Sequence, residues 1–111
     1  MEYKSTIEGN CSIIALSGEI DLQSSPPARE QMLNALKQNH HLMVDMSAVE
    51  YIDSSGIASL VEGFQFAKTH DLKFGLVNIS QATRQVLELA RLDQIFLLFE
   101  TLDEGLAVIQ G

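Results

Sequence analysis

The sequence predicts an α/β protein: a mixed β-sheet of about five strands with an opening hairpin and about four interspersed helices. Three observations carry this. Short apolar, β-branched runs alternate with stretches whose apolar residues recur every three and four positions, the two periods of strand and helix. The first two runs are joined by Gly9-Asn10, a two-residue turn that requires an antiparallel pair. The second and third runs are separated by about 25 residues with a helical pattern between them, the length of a right-handed parallel crossover. At 111 residues the chain has the length of one domain, about 100–200 residues, and residues 1–111 are read as one.

Tyr3 to Glu8 is the first strand, and Ser12-Ile13-Ile14-Ala15-Leu16 is its return, apolar enough to be central. That run ends in Ser17-Gly18-Glu19-Ile20-Asp21. Ser24 and Ser25 before Pro26 and Pro27 read as a hydroxyl cap followed by proline in the first helical turn. Met32, Ala35 and Leu36 supply that helix's apolar stripe, and Asn39-His40 ends it. His41 to Met46 is the next strand, and Ser47 to Ile52 reads as a loop with apolar residues packed inward. Asp53-Ser54-Ser55-Gly56 then opens an amphipathic helix with Ile57, Leu60, Val61, Phe64 and Ala67 on one face, closed by His70-Asp71. Leu72 to Val77 is a strand. Ser80 to Arg91 is a helix capped by Ser80, with Ala82, Val86, Leu89 and Ala90 as the expected buried side. Ile95 to Phe99 is the last strand, and Asp103 to Gln110 a last helix capped by Asp103. Met32, Met43, Met46, Phe64, Phe96 and Phe99 are assigned to the core.

Composition narrows the function. Seven Lys and Arg against fifteen Asp and Glu give a net charge of −8. A protein that grips nucleic acid through phosphates needs a basic footprint, so direct nucleic-acid binding is not expected. Anionic membrane surfaces are disfavoured for the same reason. The apolar runs fall far short of the ~20 residues that span a bilayer, and Met-Glu-Tyr-Lys-Ser-Thr is not a signal peptide. The single Cys11 has no internal disulfide partner. These features read as cytoplasmic, without membrane insertion. Of three histidines, His40 and His41 are adjacent and point to opposite faces of a strand, so no metal site and no cofactor is expected.

The chemistry concentrates in Val44 to Ile57. There a hydroxyl stands where a loop meets a helix N-terminus, with orphan backbone N–H groups and the positive end of the helix dipole beside it. A phosphate on such a serine finds donors aimed at it. Asp53 is adjacent. Asp21 ends an earlier strand, and in a parallel sheet the strand ends share one rim. The plain alternative is that Asp-Ser-Ser-Gly is a helix cap and nothing more. Catalysis is not expected: a serine nucleophile needs a base and an orienting third group, the Gly-x-Ser-x-Gly elbow is missing, and no histidine stands in a catalytic pattern.

Leu16-Ser17-Gly18-Glu19-Ile20-Asp21, together with Asp53-Ser54-Ser55-Gly56 and the helix after it, resembles the STAS domain, most closely the stand-alone anti-sigma factor antagonists. The resemblance covers nearly the whole chain. It implies a STAS-like sheet and a protein-binding module without catalytic residues, which sequesters an anti-sigma factor that is also a serine kinase and so frees a sigma factor. It implies Ser54 as the phosphoacceptor, a phosphatase that reverses the modification, and a partner-binding set of Asp21, Asp53, Ser54, Ser55 and Gly56. Pro26-Pro27-Ala28 departs from the family's plainer first helix. The segment Ser55 to Phe64 is also similar to STAS accessory subunits of lipid-transport ABC systems, an alternative against which the serine at position 54 argues.

Overall fold

The computed structural model describes residues 3–110, which form five strands, four α-helices and a short 3₁₀ turn. In chain order these are β1 (Lys4–Glu8), β2 (Cys11–Ile20), α1 (Ser25–Lys37), β3 (His41–Ile52), α2 (Ser54–Thr69), β4 (Phe74–Val77), α3 (Gln81–Leu89), the 3₁₀ turn Leu92–Gln94, β5 (Leu97–Phe99) and α4 (Leu102–Gln110). The sheet order is β1-β2-β3-β4-β5, with β1 antiparallel to β2 and every later pair parallel. The expected mixed sheet and opening hairpin are what the chain forms. Gly9 has φ +61°, the conformation that a type II′ hairpin turn requires of its first central residue.

Because successive strand residues face opposite ways, the sheet buries two sets of side chains. Ile14, Leu16, Ile20, Leu42, Val44, Met46, Phe74 and Leu76 pack beneath Met32 and Leu36 of α1, Ile57, Leu60 and Ala67 of α2, and Leu87 of α3. On the other face α4 covers Cys11, Ile13, Met43, Val77 and Phe99, with Ile109 its deepest residue. Burial pushes the Cys11 thiol up to about 11, so it behaves as a small apolar group. Met32, Met43 and Met46 are fully buried, Phe96 and Phe99 are buried, and Phe64 is half-buried.

Several expectations are corrected. Ser47 to Ile52 is strand, not loop: β3 runs on beside the upper half of β2, pairing Ser17 with Ala48 and Ile20 with Ile52. Register shifts between Ala15 and Ser17 and between Gly18 and Glu19 insert extra residues on the β3 side. Such bulges break the two-residue alternation by which a strand is read. Within this stretch Val49 and Ile52 face inward, but Tyr51 is 54 % exposed.

Ser24 stands at the N-cap of α1 without a side-chain cap bond, its hydroxyl being used elsewhere, and Ser25 is buried. The strands β4 and β5 are shorter than Leu72–Val77 and Ile95–Phe99. Asp103 does not cap α4; the Thr101 hydroxyl accepts the Glu104 N–H at 3.2 Å. On α3 the expected cap is present, Ser80 accepting from Thr83 N–H at 3.1 Å. Its expected face is wrong. Ala82, Val86, Leu89 and Ala90 are exposed, and Thr83 and Leu87 are buried. Leu87 joins the core cluster that also holds Phe96, whose ring lies 5.7 Å from Phe64 and 5.8 Å from Phe74, so the helix is seated by long-range packing and not by its most apolar stripe.

Candidate functional site

The rim at the C-terminal ends of β2 and β3 follows from their register. Ile20 pairs with Ile52, and the Asp53 N–H donates to the Ile20 carbonyl at 3.1 Å. Asp21 and Asp53 therefore leave two neighbouring strands side by side, as expected from sequence.

Asp53 is extended, with φ −101° and ψ −172°, and is the N-cap of α2. Its Oδ1 accepts from Ser55 N–H at 2.9 Å, from Gly56 N–H at 3.1 Å and from the Ser55 hydroxyl at 2.6 Å. The Ser55 hydroxyl, then the Gly56 amide, holds the Asp53 carboxyl below the usual carboxylate range. The cap is thus the aspartate and not Ser54. Ser54 is the first helical residue, exposed, and its hydroxyl takes no part in the cap.

Asp21 organises the other lip. Its Oδ1 accepts from Gln23 N–H at 3.0 Å and Ser24 N–H at 3.1 Å. The Ser24 hydroxyl accepts the Asp21 N–H at 2.8 Å and offers its own proton to Glu19 O at 2.8 Å and Asp21 Oδ1 at 3.1 Å. Ser24 is a rim residue that the sequence reading assigned only to a cap. The Ser24 amide and hydroxyl lower the Asp21 pKa, and the nearby Asp53 charge opposes them. The two carboxylates are close enough to feel one another, and the rim stays anionic.

Gly56 sets how near α2 comes to the strands. A Cβ there would lie 2.6 Å from Ile52 Cγ1, 2.7 Å from Ile20 O and 2.9 Å from Ile20 Cγ2. Behind it the Ser59 hydroxyl donates to Ser55 O at 3.2 Å and approaches Ser25 O at 3.4 Å, fixing α2 against the start of α1. An exposed ion pair between Arg29 and Glu62 bridges the same two helices.

The structure brings Asp21, Asp53, Ser54 and Ser55 to one rim; Gly56, expected among the partner-contacting residues, is instead buried beneath them, because it lets α2 approach Ile20 and Ile52. Next to Asp21 and Ile52 in the chain stand two exposed apolar residues that sequence reasoning passed over, Leu22 at 75 % exposure and Tyr51 at 54 %. Their signal in the sequence is slight: Leu22 is an apolar residue inside a polar turn. His40 and His41 stand at the opposite end of β3, and His70 ends α2, so among the described residues no imidazole approaches Ser54.

The family model of the STAS domain matches residues 3–105. The chain belongs to the STAS domain family. A curated relative of this STAS protein, the anti-sigma-F factor antagonist RsfB of Mycobacterium tuberculosis, is 32 % identical over 101 residues, covering 90 % of this chain and 82 % of the relative. A solved anti-sigma factor antagonist from Mycobacterium paratuberculosis is 28 % identical with a TM-score of 0.86, covering 98 % of this chain and 93 % of the other. A STAS domain protein from Planctomyces limnophilus shares the fold at a TM-score of 0.87 and 21 % identity, each chain covered completely (100 %). In this chain a serine follows a capping aspartate at the start of α2, beside the end of β2. Among the described residues no helix is long and apolar enough to cross a membrane.

Proposed function

We propose that this STAS protein is an anti-sigma factor antagonist. Its docking surface is the rim of Asp21, Asp53, Ser54 and Ser55, held in place by the buried Gly56, and phosphorylation of Ser54 ends the binding. The observation that carries the reading is the Ser54 hydroxyl, exposed at the first position of α2 and left free because Asp53 does the capping. The antagonist names of relatives that match most of the chain support the partner class.

The modification places charge where it is hardest to accommodate. A phosphoryl group adds about −1.5 to −2 charges. At Ser54 it meets a helix end whose leading amides are already bonded to Asp53, and a second carboxylate at Asp21. In a docked interface an unpaired charge of this kind costs several kcal/mol, and each ~1.4 kcal/mol is tenfold in affinity. The anti-sigma factor is itself the serine kinase in this reading: the Ser54 oxygen takes the terminal phosphoryl of ATP, its proton is lost, and ADP leaves. A phosphatase restores the free hydroxyl by hydrolysis.

The test uses Ser54→Ala and Ser54→Asp, titrated against the candidate anti-sigma factor by calorimetry. Alanine is expected to bind like wild type and to be indifferent to ATP; aspartate is expected to bind at least about tenfold more weakly. Aspartate binding as tightly as wild type, or phosphate mapped to Ser55 rather than Ser54, overturns the reading. Capture of permease and ATPase subunits of a transporter instead of a kinase favours the accessory-subunit alternative.

A further inference from the structure

The outer edge of β1 is uncovered. Among the described residues this strand pairs with β2 alone, and all five of its residues are exposed, Ile7 at 61 %. A flat free edge is a template for another strand, and proteins blunt such edges or use them. Two features show which of its backbone groups are open. Glu8 and Cys11 flank the two-residue turn and so form a hydrogen-bonded pair, which turns the backbone groups of Glu8, Thr6 and Lys4 toward β2 and those of Ser5 and Ile7 outward. Tyr3 has the same outward parity, and there the Gln31 side chain closes the edge. It accepts from Tyr3 N–H at 2.9 Å and donates to Tyr3 O at 2.7 Å. The open segment is thus short and bounded, Ser5 to Ile7.

We infer that this edge pairs with the same edge of a second copy of the chain in an antiparallel two-fold ladder centred on Thr6, because Lys-Ser-Thr-Ile-Glu is complementary to its own reverse. About that centre Lys4 stands opposite Glu8 of the copy and Glu8 opposite its Lys4, while Thr6 meets Thr6. Ser5 faces Ile7 in both directions and exchanges the outward N–H and C=O groups that each strand leaves open. The Lys–Glu and Thr–Thr pairings are favourable in both directions at once, as an isologous interface demands. Lys4, Thr6 and Glu8 share the α4 side with Ile13 and Ala15, so the charge pairs form one row. On the other side Ile7 of the copy lies over Ser5, at a cleft of about 250 Å³ lined in part by Ile14, Asn34 and Ala35. Centred instead on Ser5 or Ile7, the ladder loses the charge pairing. β1 runs only beside Cys11–Ala15 of β2, so the rim beyond Ile20 stays clear and the dimer offers it twice.

Sedimentation equilibrium of the full chain tests this. A weak, concentration-dependent dimer is expected. Lys4→Glu and Glu8→Lys each place like charges opposite at both symmetric positions and are expected to weaken association about tenfold. The double exchange, which leaves the net charge at −8, is expected to restore it. Ser5→Pro removes an outward N–H without touching the bonds to β2 and is expected to abolish association, with an unchanged melting temperature reporting the intact hairpin. A monomer up to millimolar concentration, a dimer indifferent to the single exchanges, or a double exchange as weak as either single one overturns the inference.

Discussion

Replacing Gly56 by alanine opposes two effects of known size at one atom. Alanine is the better helix former by about 1 kcal/mol, so propensity alone predicts a more stable protein. The new methyl, however, meets Ile52 Cγ1 at 2.6 Å, Ile20 O at 2.7 Å and Ile20 Cγ2 at 2.9 Å, where unstrained contacts lie near 3.5–4.0 Å. The Ile20 oxygen does not simply withdraw, because it accepts the Asp53 N–H at 3.1 Å. Both isoleucine side chains are buried, so α2 itself has to lift by about 1 Å; with three contacts under 3.0 Å, one of them to backbone, this lies at the upper end of the overpacking range, about 2–3 kcal/mol. The net expectation is a loss of about 1–2 kcal/mol, or about 5–10 °C in melting temperature for a domain of this size. Urea unfolding with a free m-value, beside circular-dichroism melting, measures it. Ala58→Gly on the exposed side of the same helix calibrates the propensity part. A Gly56→Ala protein as stable as wild type would refute the reasoning, since it means the close approach of α2 to the strand ends is slack.

Three further outcomes are expected. Asp53→Ala removes the α2 cap and should cost about 1–2 kcal/mol, whereas Ser54→Ala, at an exposed position outside the cap, should stay within about 0.5 kcal/mol of wild type; equal losses in chemical denaturation would return the cap to Ser54. Asp21 and Asp53 are both held below their ordinary value of 3.8, so their stabilising contribution is fully present above that value and is lost as pH falls through the lower folded-state values. Unfolding free energy followed downward from pH 6 should drop in that acid range, and Asp53→Asn should flatten the drop. On α3, Leu87→Ala should cost about 2–5 kcal/mol, while Leu89→Ala, at a side chain 88 % exposed, should change stability by less than about 0.5 kcal/mol; the reverse ranking would put the other face of the helix in the core.

What could be read from the sequence is what local chemistry determines. Gly9-Asn10 specifies its turn, and the alternation of β-branched runs with helical stripes specifies a mostly parallel sheet with one antiparallel edge. Asp21 and Asp53 follow apolar strand ends, so a shared rim is legible in the sequence itself. The misreadings lie where two answers are locally equal. Asp-Ser-Ser-Gly reads as a cap without saying which residue caps, since Asp53 and Ser54 are both good caps and only the β3 register decides which is the last extended one. On α3 two stripes a single position apart satisfy the helical period, and only the tertiary packing that seats Leu87 in the core decides which is covered. The continuation of β3 past Met46 was hidden because its bulges disturb the alternation itself, and with it went the outward aim of Tyr51.

The union of Asp21 with Asp53 has a consequence for the life of the chain. The two residues are distant in sequence and meet only when β3 pairs in parallel with β2 across the α1 crossover, a non-local closure that forms slowly compared with helices or the hairpin. A nascent or partly unfolded molecule can hold the hairpin and α1 and still have no rim. Whatever binds the rim therefore recognises completed molecules alone. By mass action it also protects them from unfolding, by about 2.7 kcal/mol when the free partner is at a hundred times its dissociation constant. Release of the partner then returns the chain to its intrinsic stability, and its exposure to proteolysis rises with the population that opens.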